Sequence, residues 1–342
     1  MRAARLHAPR EPLRLEEMRL PEPRGEETRV RVAGCGVCRT DLHIIDGIQA
    51  RVRLPLTLGH EIAGWIDAAG SEARLESYGL EVGEPVVVAG GWGCGTCAEC
   101  ASGNEQHCAT GLSPGFQRDG GYADAVLVPH PRHLVPLGDL DPVRAGPLAD
   151  AGVTTHRAVQ RALPWLRPEA GVVVLGGGGL GQFALQHLRL AGDERLRVAL
   201  VEPDPRRREL GRSLGADVAL PHTTPETVAD ALGGSATVVF DLVGTDATLA
   251  AASAIVSPDG LIMIVGEGRG SLVAGFDRTP VESWITTTAW GSHDDLRQVV
   301  GMARGGRLRW EVEPMPLAEA NAALERVRAA LPAGRVILAP GV

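Results

Sequence analysis

Gly171-Val172-Val173-Val174-Leu175-Gly176-Gly177-Gly178-Gly179-Leu180-Gly181 combines a strand, a turn and the start of a helix in eleven residues. The first five are a continuous apolar run, as expected of a parallel strand buried on both faces; a half-exposed strand would alternate. The next six satisfy G-x-G-x-x-G and open a helical pattern over 180–191. In that context the turn reads as a dinucleotide site. Gly176 permits the tight bend, Gly178 lets backbone approach a pyrophosphate, and Gly181 allows the helix to pack on the strand. Gly179 and Leu180 complete the turn, and the helix N-terminus supplies N–H donors and a positive dipole end.

The alternation continues outward. Strands are expected at 196–201, 236–241 and 261–265. Helices are expected at 153–163, 205–214 and 245–256. Such alternation predicts βαβ units and a doubly wound parallel sheet. Glu202 ends the second strand, twenty-one residues after Gly181. A carboxylate there accepts the adenosine ribose hydroxyls and repels a 2′-phosphate, so NAD is expected over NADP. Arg206, Arg207 and Arg208 follow, and a guanidinium near Glu202 would favour the phosphate. They are read as a solvated helix face.

The first 150 residues are punctuated by glycine and proline around short β runs at 30–32, 85–88 and 125–129. After 288, a helix at 294–303 leads into a tail expected to be β-rich. The chain is therefore expected to be α/β with two domains. A mainly β domain would comprise 1–151 and 289–342, and a Rossmann domain 152–288.

Cys94, Cys97, Cys100 and Cys108 follow C-x2-C-x2-C-x7-C. Four thiolates at that spacing can converge on one tetrahedral Zn²⁺, and a four-sulfur site is closed to chemistry. Only Cys35 and Cys38 lie outside this group, and Cys35 reads as a small buried hydrophobe. Cys38 and His60 sit in glycine-bounded stretches and would need a third ligand for an open, catalytic zinc. Asp150 is the leading candidate. The rival arrangement uses Glu61 as the ligand and Asp150 as a helix cap.

Composition narrows the function classes. Hydrophobic content of 44% and charged content of 22% suit an ordinary globular protein. A net charge of −8 argues against nucleic acid as a partner. No apolar run approaches the length of a membrane span, and the basic N-terminus lacks the apolar core of a secretory signal, so a cytoplasmic enzyme is expected. All 34 basic residues are arginine, which excludes lysine chemistry.

GVCRTDLH, GHEIAG, the four-cysteine lobe, DGGYADAVLVP, PLADAGVTTHRAV, GGGGLG and LVEPDPRRRELGRSLGAD occur in this order. In them the chain resembles the zinc-containing medium-chain alcohol dehydrogenases over nearly its whole length. The resemblance implies a GroES-like catalytic domain beside the Rossmann domain, two zinc ions per chain, and NAD. It implies Cys38, His60 and Asp150 as catalytic-zinc ligands, with Glu61 beside the metal and Asp41 orienting His60. Aspartate stands at 150 where many relatives have cysteine, and each contributes one negative charge. Thr40 would take the substrate proton and His43 pass it to solvent. Thr154, Val265, Gly266 and Glu267 would lie at the nicotinamide, Arg207 at the adenosine and Arg335 at the pyrophosphate. Trp92 and Trp290 would line the substrate pocket, and Ile44 and Ile48 are further apolar candidates. His293 stands where arginine is common, and the 71–80 segment is longer than usual. The implied substrate is a small alcohol, aldehyde or ketone, with secondary or aromatic alcohols favoured by the apolar candidates. A polyol or sugar-alcohol dehydrogenase is the alternative enzyme. An inactive zinc-stabilised nucleotide-binding protein is the non-enzyme alternative, and it is disfavoured because Cys38, His60 and Thr40 are all present. The family also implies a homo-oligomer paired through the edges of its cofactor domains, for which 261–265 and 270–274 are the candidate stretches.

Overall fold

The computed structural model describes residues 1–49 and 51–341. Two compact units emerge. One comprises Met1–Val153, Trp290–Arg307 and Glu311–Val342, and the other Thr154–Ala289 and Leu308–Trp310.

The second unit is built on a six-stranded parallel sheet. Its order is Val218–Leu220, Arg197–Val201, Gly171–Leu175, Ala236–Asp241, Val256–Ile264, Trp284–Thr287. This is the 3-2-1-4-5-6 order of a dinucleotide-binding fold, with the switch point beside Gly171–Leu175. The apolar run there serves two layers. Val172 and Val174 pack with Ala158, Val159, Ala184 and Leu188 on one face. Val173 and Leu175 pack with Val228, Leu232, Ala252 and Ile255 on the other. All five strand residues are buried.

Helix starts follow their side chains. Asp204 accepts from the Arg206 amide ahead of Pro205–Ser213, and Thr245 accepts from the Thr248 amide ahead of Asp246–Ile255. Some elements escape the sequence pattern. Pro225–Leu232 is a helix with a Thr224 cap and proline at its start, and Val218–Leu220 is the edge strand before it. The 261–265 stretch was expected at the sheet edge but lies inside, because Trp284–Thr287 pairs outside it. Leu308–Trp310 clusters with this unit although it lies within the 289–342 tail. Gln186 holds it, donating to the Arg309 carbonyl and accepting from the Arg309 amide.

The first unit is mainly β. A seven-stranded sheet runs Val312–Pro316, Arg335–Ala339, Thr28–Gly36, Glu61–Ala69, Pro85–Val88, Leu134–Pro136, with Ala125–Val128 also paired to Thr28–Gly36. A smaller sheet joins Arg14–Glu17, Arg2–Leu6 and Leu56–Thr57. The tail is not β alone: Ala320–Arg328 is a helix between two strands, and Ala320, Ala323 and Leu324 enter the core. The 71–80 segment forms a turn of 3₁₀-helix at Leu75–Tyr78 that docks Leu75 and Leu80 into the same core.

Candidate active site and metal centres

Three strand and helix ends meet around Gly36. His60 directly precedes the strand Glu61–Ala69, whose first residue is in register with Gly36. Cys38 is the N-cap of the helix Arg39–Ile45, and Asp41 Oδ2 accepts the Cys38 amide at 2.8 Å. Asp150 immediately precedes the helix Ala151–Ala162. The ligand atoms of Cys38, His60, Glu61 and Asp150 all lie within 4.8 Å of one another. Asp150 Oδ2 lies 3.6 Å from Cys38 Sγ and 3.7 Å from His60 Nε2. Arg335 sits on the same group. It is paired to Glu61 through Nε and Nη2 and lies 3.3 Å from Asp150.

The donor set fits a divalent ion. As metal ligands, a Cys38 thiolate and the Glu61 and Asp150 carboxylates would bring three negative charges into a buried space against one positive charge from Arg335. The surplus shows in the proton affinities. Burial raises Glu61 to about 7 against the opposing pull of Arg335. Burial alone would lower His60, yet Asp41, Asp150 and Cys38 together hold it well above its ordinary value. Burial likewise opposes ionisation of Asp150, and His60 and Arg335 override it, so Asp150 stays a carboxylate. A thiolate, an imidazole and a carboxylate are the donors of open zinc sites.

Asp41 faces the other side of the His60 ring, with Oδ1 3.4 Å from Nδ1. Its Oδ2 is fixed by the Tyr122 hydroxyl at 2.8 Å. Tyr122 is fully buried and was not anticipated; only its contact with Asp41 reveals the role. Thr40 Oγ1 is 3.6 Å from Cys38 Sγ, and His43 follows three residues later on the same helix, where i,i+3 side chains are neighbours. Phe116 was also missed. Its ring lies 5.3 Å from His60 and 5.7 Å from Trp290, and Trp290 lies 6.5 Å from His60. Trp92 is buried in the core with its ring 6.2 Å from that of His133, and Ile44 is buried in the same core. Arg335, which the family resemblance implies at the pyrophosphate, is paired here with Glu61.

The second cluster is local. Cys94 and Cys100 sulfurs are 4.0 Å apart, and those of Cys97 and Cys108 are 3.8 Å apart. A tetrahedron with a metal–sulfur distance of about 2.3 Å has edges of about 3.8 Å. All four cysteines are free of disulfides. The amides of Cys94 and Cys97 point at the Cys108 and Cys94 sulfurs, each at 3.4 Å. The Thr96 hydroxyl, with neighbouring amides, lowers Cys94 to about 5, and burial pushes Cys100 up to about 12. Between the last two cysteines lies Glu105. Burial would raise its carboxyl, but pairing with His293 brings it to about 2.

In the second unit, Gly176 has φ +100° and Gly181 packs against the Gly176 carbonyl, while a Cβ on Gly178 would meet nothing within 4 Å. The Gly178 backbone therefore faces open space at the end of the strand. Glu202 Oε2 accepts from the Gly177 amide at 2.8 Å and Oε1 from Asp204 at 2.9 Å. That fixes a carboxylate beside the glycine turn. Arg206 pairs with Asp204, Arg208 donates to the Glu202 and Pro203 carbonyls, and Arg207 approaches Glu202 at 3.9 Å. The Val265 and Gly266 amides bond the Asp241 carbonyl at the end of the neighbouring strand, and Glu267 follows. Thr154 is buried on the helix Ala151–Ala162.

Residues 24–139 match the family described as alcohol dehydrogenase GroES-like domain, and 179–304 match zinc-binding dehydrogenase. The chain is similar to a D-arabinose 1-dehydrogenase (NADP(+)) of Saccharolobus solfataricus, with 34% identity over 99% of this chain and 97% of that one. It is similar to an NAD-dependent alcohol dehydrogenase of Sulfurisphaera tokodaii, with 32% identity over 99% of this chain and 100% of the other. The crystal structure of an alcohol dehydrogenase from Aeropyrum pernix superposes with a TM-score of 0.92, 34% identity, and coverage of 99% and 100%. The chain belongs to the zinc-containing medium-chain alcohol dehydrogenases, with a GroES-like and a Rossmann domain.

Proposed function

We propose that the first unit carries the metal chemistry and the second the cofactor, and that Cys38, His60 and Asp150 hold the catalytic zinc. The observation that carries this reading is the convergence of these donors, with Glu61, within 4.8 Å. Asp150 is preferred to Glu61 because both Glu61 oxygens are engaged by Arg335. Cys94, Cys97, Cys100 and Cys108 hold a second, structural ion.

Zinc supplies Lewis acidity, which lowers the pKa of an alcohol hydroxyl or polarises a carbonyl. The chain's own residues do the rest. Asp41 holds the His60 ring in one orientation, itself fixed by Tyr122. Thr40 accepts the hydroxyl proton and His43 hands it to solvent. NAD, when bound, would supply the hydride acceptor; the Gly176–Gly181 turn would hold its pyrophosphate and Glu202 its adenosine ribose. Arg207 lies at the adenosine, and Thr154, Val265, Gly266 and Glu267 at the nicotinamide. Arg335 holds Glu61 in place and opposes the burial that raises its carboxyl.

The substrate is a secondary or aromatic alcohol, or the matching ketone or aldehyde. The aromatic faces of Phe116 and Trp290 beside His60 support this. The sugar-oxidising relative favours a polyol as the second reading. A second copy of the chain pairs along Trp284–Thr287, an edge strand on which Trp284 is 58% exposed and near which Phe276 is 91% exposed. Among the described residues no helix is long and apolar enough to cross a membrane. Six unpaired thiols suit the cytoplasm. NADH absorbance with primary, secondary, aromatic and polyol substrates tests the assignment. Highest kcat/KM for 1-phenylethanol or a secondary alkanol is expected, whereas turnover confined to polyols would replace it.

A further inference from the structure

His293 opens the helix His293–Arg304, and its buried ring is held on three sides. Nδ1 lies 3.2 Å from Glu105 Oε1. Nε2 lies 3.2 Å from the Gly91 carbonyl oxygen and 3.2 Å from His133 Nδ1. Glu105 belongs to the loop between Cys100 and Cys108. Gly91 lies on the connection that leads into the cysteine lobe, and His133 immediately precedes the strand Leu134–Pro136. One imidazole thus ties the lobe and the sheet to the first turn of a helix.

Three residues earlier, Trp290 has φ +52°. A left-handed backbone is an outlier for so bulky a side chain, and such strain persists only where neighbours over-determine it. Here they do. Ser292 caps the helix, exchanging bonds with Asp295. Gly291 leaves no room, since a Cβ would lie 2.7 Å from Val153 Cγ2. The indole lies over Gly90, where a Cβ would be 2.7 Å from Nε1. Held this way, the ring reaches Phe116 and His60.

We propose that His293 is a positioning residue that latches the four-cysteine lobe, through Glu105, to the strained turn that presents Trp290 beside His60. The lobe then shapes substrate selectivity as well as stabilising the fold. This rests on the reading above, in which Phe116 and Trp290 face the substrate. The latch acts on pocket width, so it governs bulky substrates more than small ones.

The test compares wild type with His293→Ala, Glu105→Gln and His293→Arg, each with and without Trp290→Phe. The difference within each pair isolates Trp290 fluorescence, and acrylamide quenching then reads how firmly the indole is seated. His293→Ala and Glu105→Gln should keep two zinc ions per chain and make Trp290 more readily quenched. KM for 1-phenylethanol should change relative to that for 2-propanol by about tenfold, the scale of a misfitted pocket group, with kcat for 2-propanol unchanged. His293→Arg places a guanidinium donor opposite Glu105 and should restore both readouts. Unchanged quenching and an unchanged KM ratio in zinc-replete variants would overturn the latch. So would loss of zinc from Glu105→Gln, because the contact would then serve metal retention. If His293→Ala does not fold, Glu105→Gln, which conserves shape, carries the test. If wild type oxidises no alcohol, the functional reading fails, while quenching still judges the latch.

Discussion

The two metal-capable clusters of the first unit are built in opposite ways. The four-cysteine cluster lies within residues 94–108, is partly exposed, and presents four identical donors. The other draws Cys38, His60, Glu61 and Asp150 from positions up to 112 residues apart, is largely buried, and mixes sulfur, nitrogen and oxygen. A uniform set of four thiolates fills a tetrahedron and leaves nothing for a substrate. A mixed set in a space with surplus negative charge, one side fixed by Arg335 and Asp41, leaves room for reaction. On the proposed reading, local construction goes with structure here, and dispersed construction with chemistry.

Replacing single donors should separate these two roles. Cys100→Ser leaves three sulfurs for the local ion. Because structural zinc contributes on the order of 10 kcal/mol of apparent binding free energy to folding, the variant should aggregate or lose its cooperative melting transition. A soluble Cys100→Ser variant with wild-type melting would reduce the lobe to an ornament. Thr40→Ala should do the reverse. The fold and both zinc ions stay, while kcat falls by about 10²–10⁴, the usual range for a lost proton acceptor. A circular dichroism melt and elemental analysis beside the kinetics would show whether the separation is clean. The smallest effect concerns the second unit. Glu202 is fixed by two backbone amides, so kcat/KM with NAD should exceed that with NADP by about tenfold or more, roughly 1.4 kcal/mol. Glu202→Ala should narrow that ratio, and equal use of both cofactors by wild type would mean that Arg207 dominates.

The same contrast explains what the sequence made legible. Short-range patterns carried over well. The apolar run 171–175, the glycine turn and the alternating elements after it led directly to a parallel sheet in the dinucleotide-binding order. The cysteine spacing led to four sulfurs within tetrahedral reach. Contacts between distant residues were harder. Nothing near Tyr122 in the chain announces that its hydroxyl holds Asp41, and Phe116 meets His60 only through the fold. Some misses had a readable signal. Thr224-Pro225 is a capped helix start, and Leu317, Ala320, Ala323 and Leu324 follow helical spacing inside the tail expected to be β-rich. The edge strand Trp284–Thr287 had little, since its four residues are mostly exposed and show no buried face.

The central claim is that Asp150 completes the catalytic site with Cys38 and His60. Elemental zinc per chain, measured on Asp150→Ala beside Glu61→Ala and Asp150→Cys, tests it directly. Two protein ligands hold zinc poorly, so Asp150→Ala should retain one ion, that of the cysteine lobe, and lose turnover. Asp150→Cys should keep two, and Glu61→Ala should keep more zinc than Asp150→Ala. If Asp150 is instead only a helix cap, its loss costs about 1 kcal/mol of stability. Two zinc ions per chain and near-normal turnover in Asp150→Ala would remove it from the site.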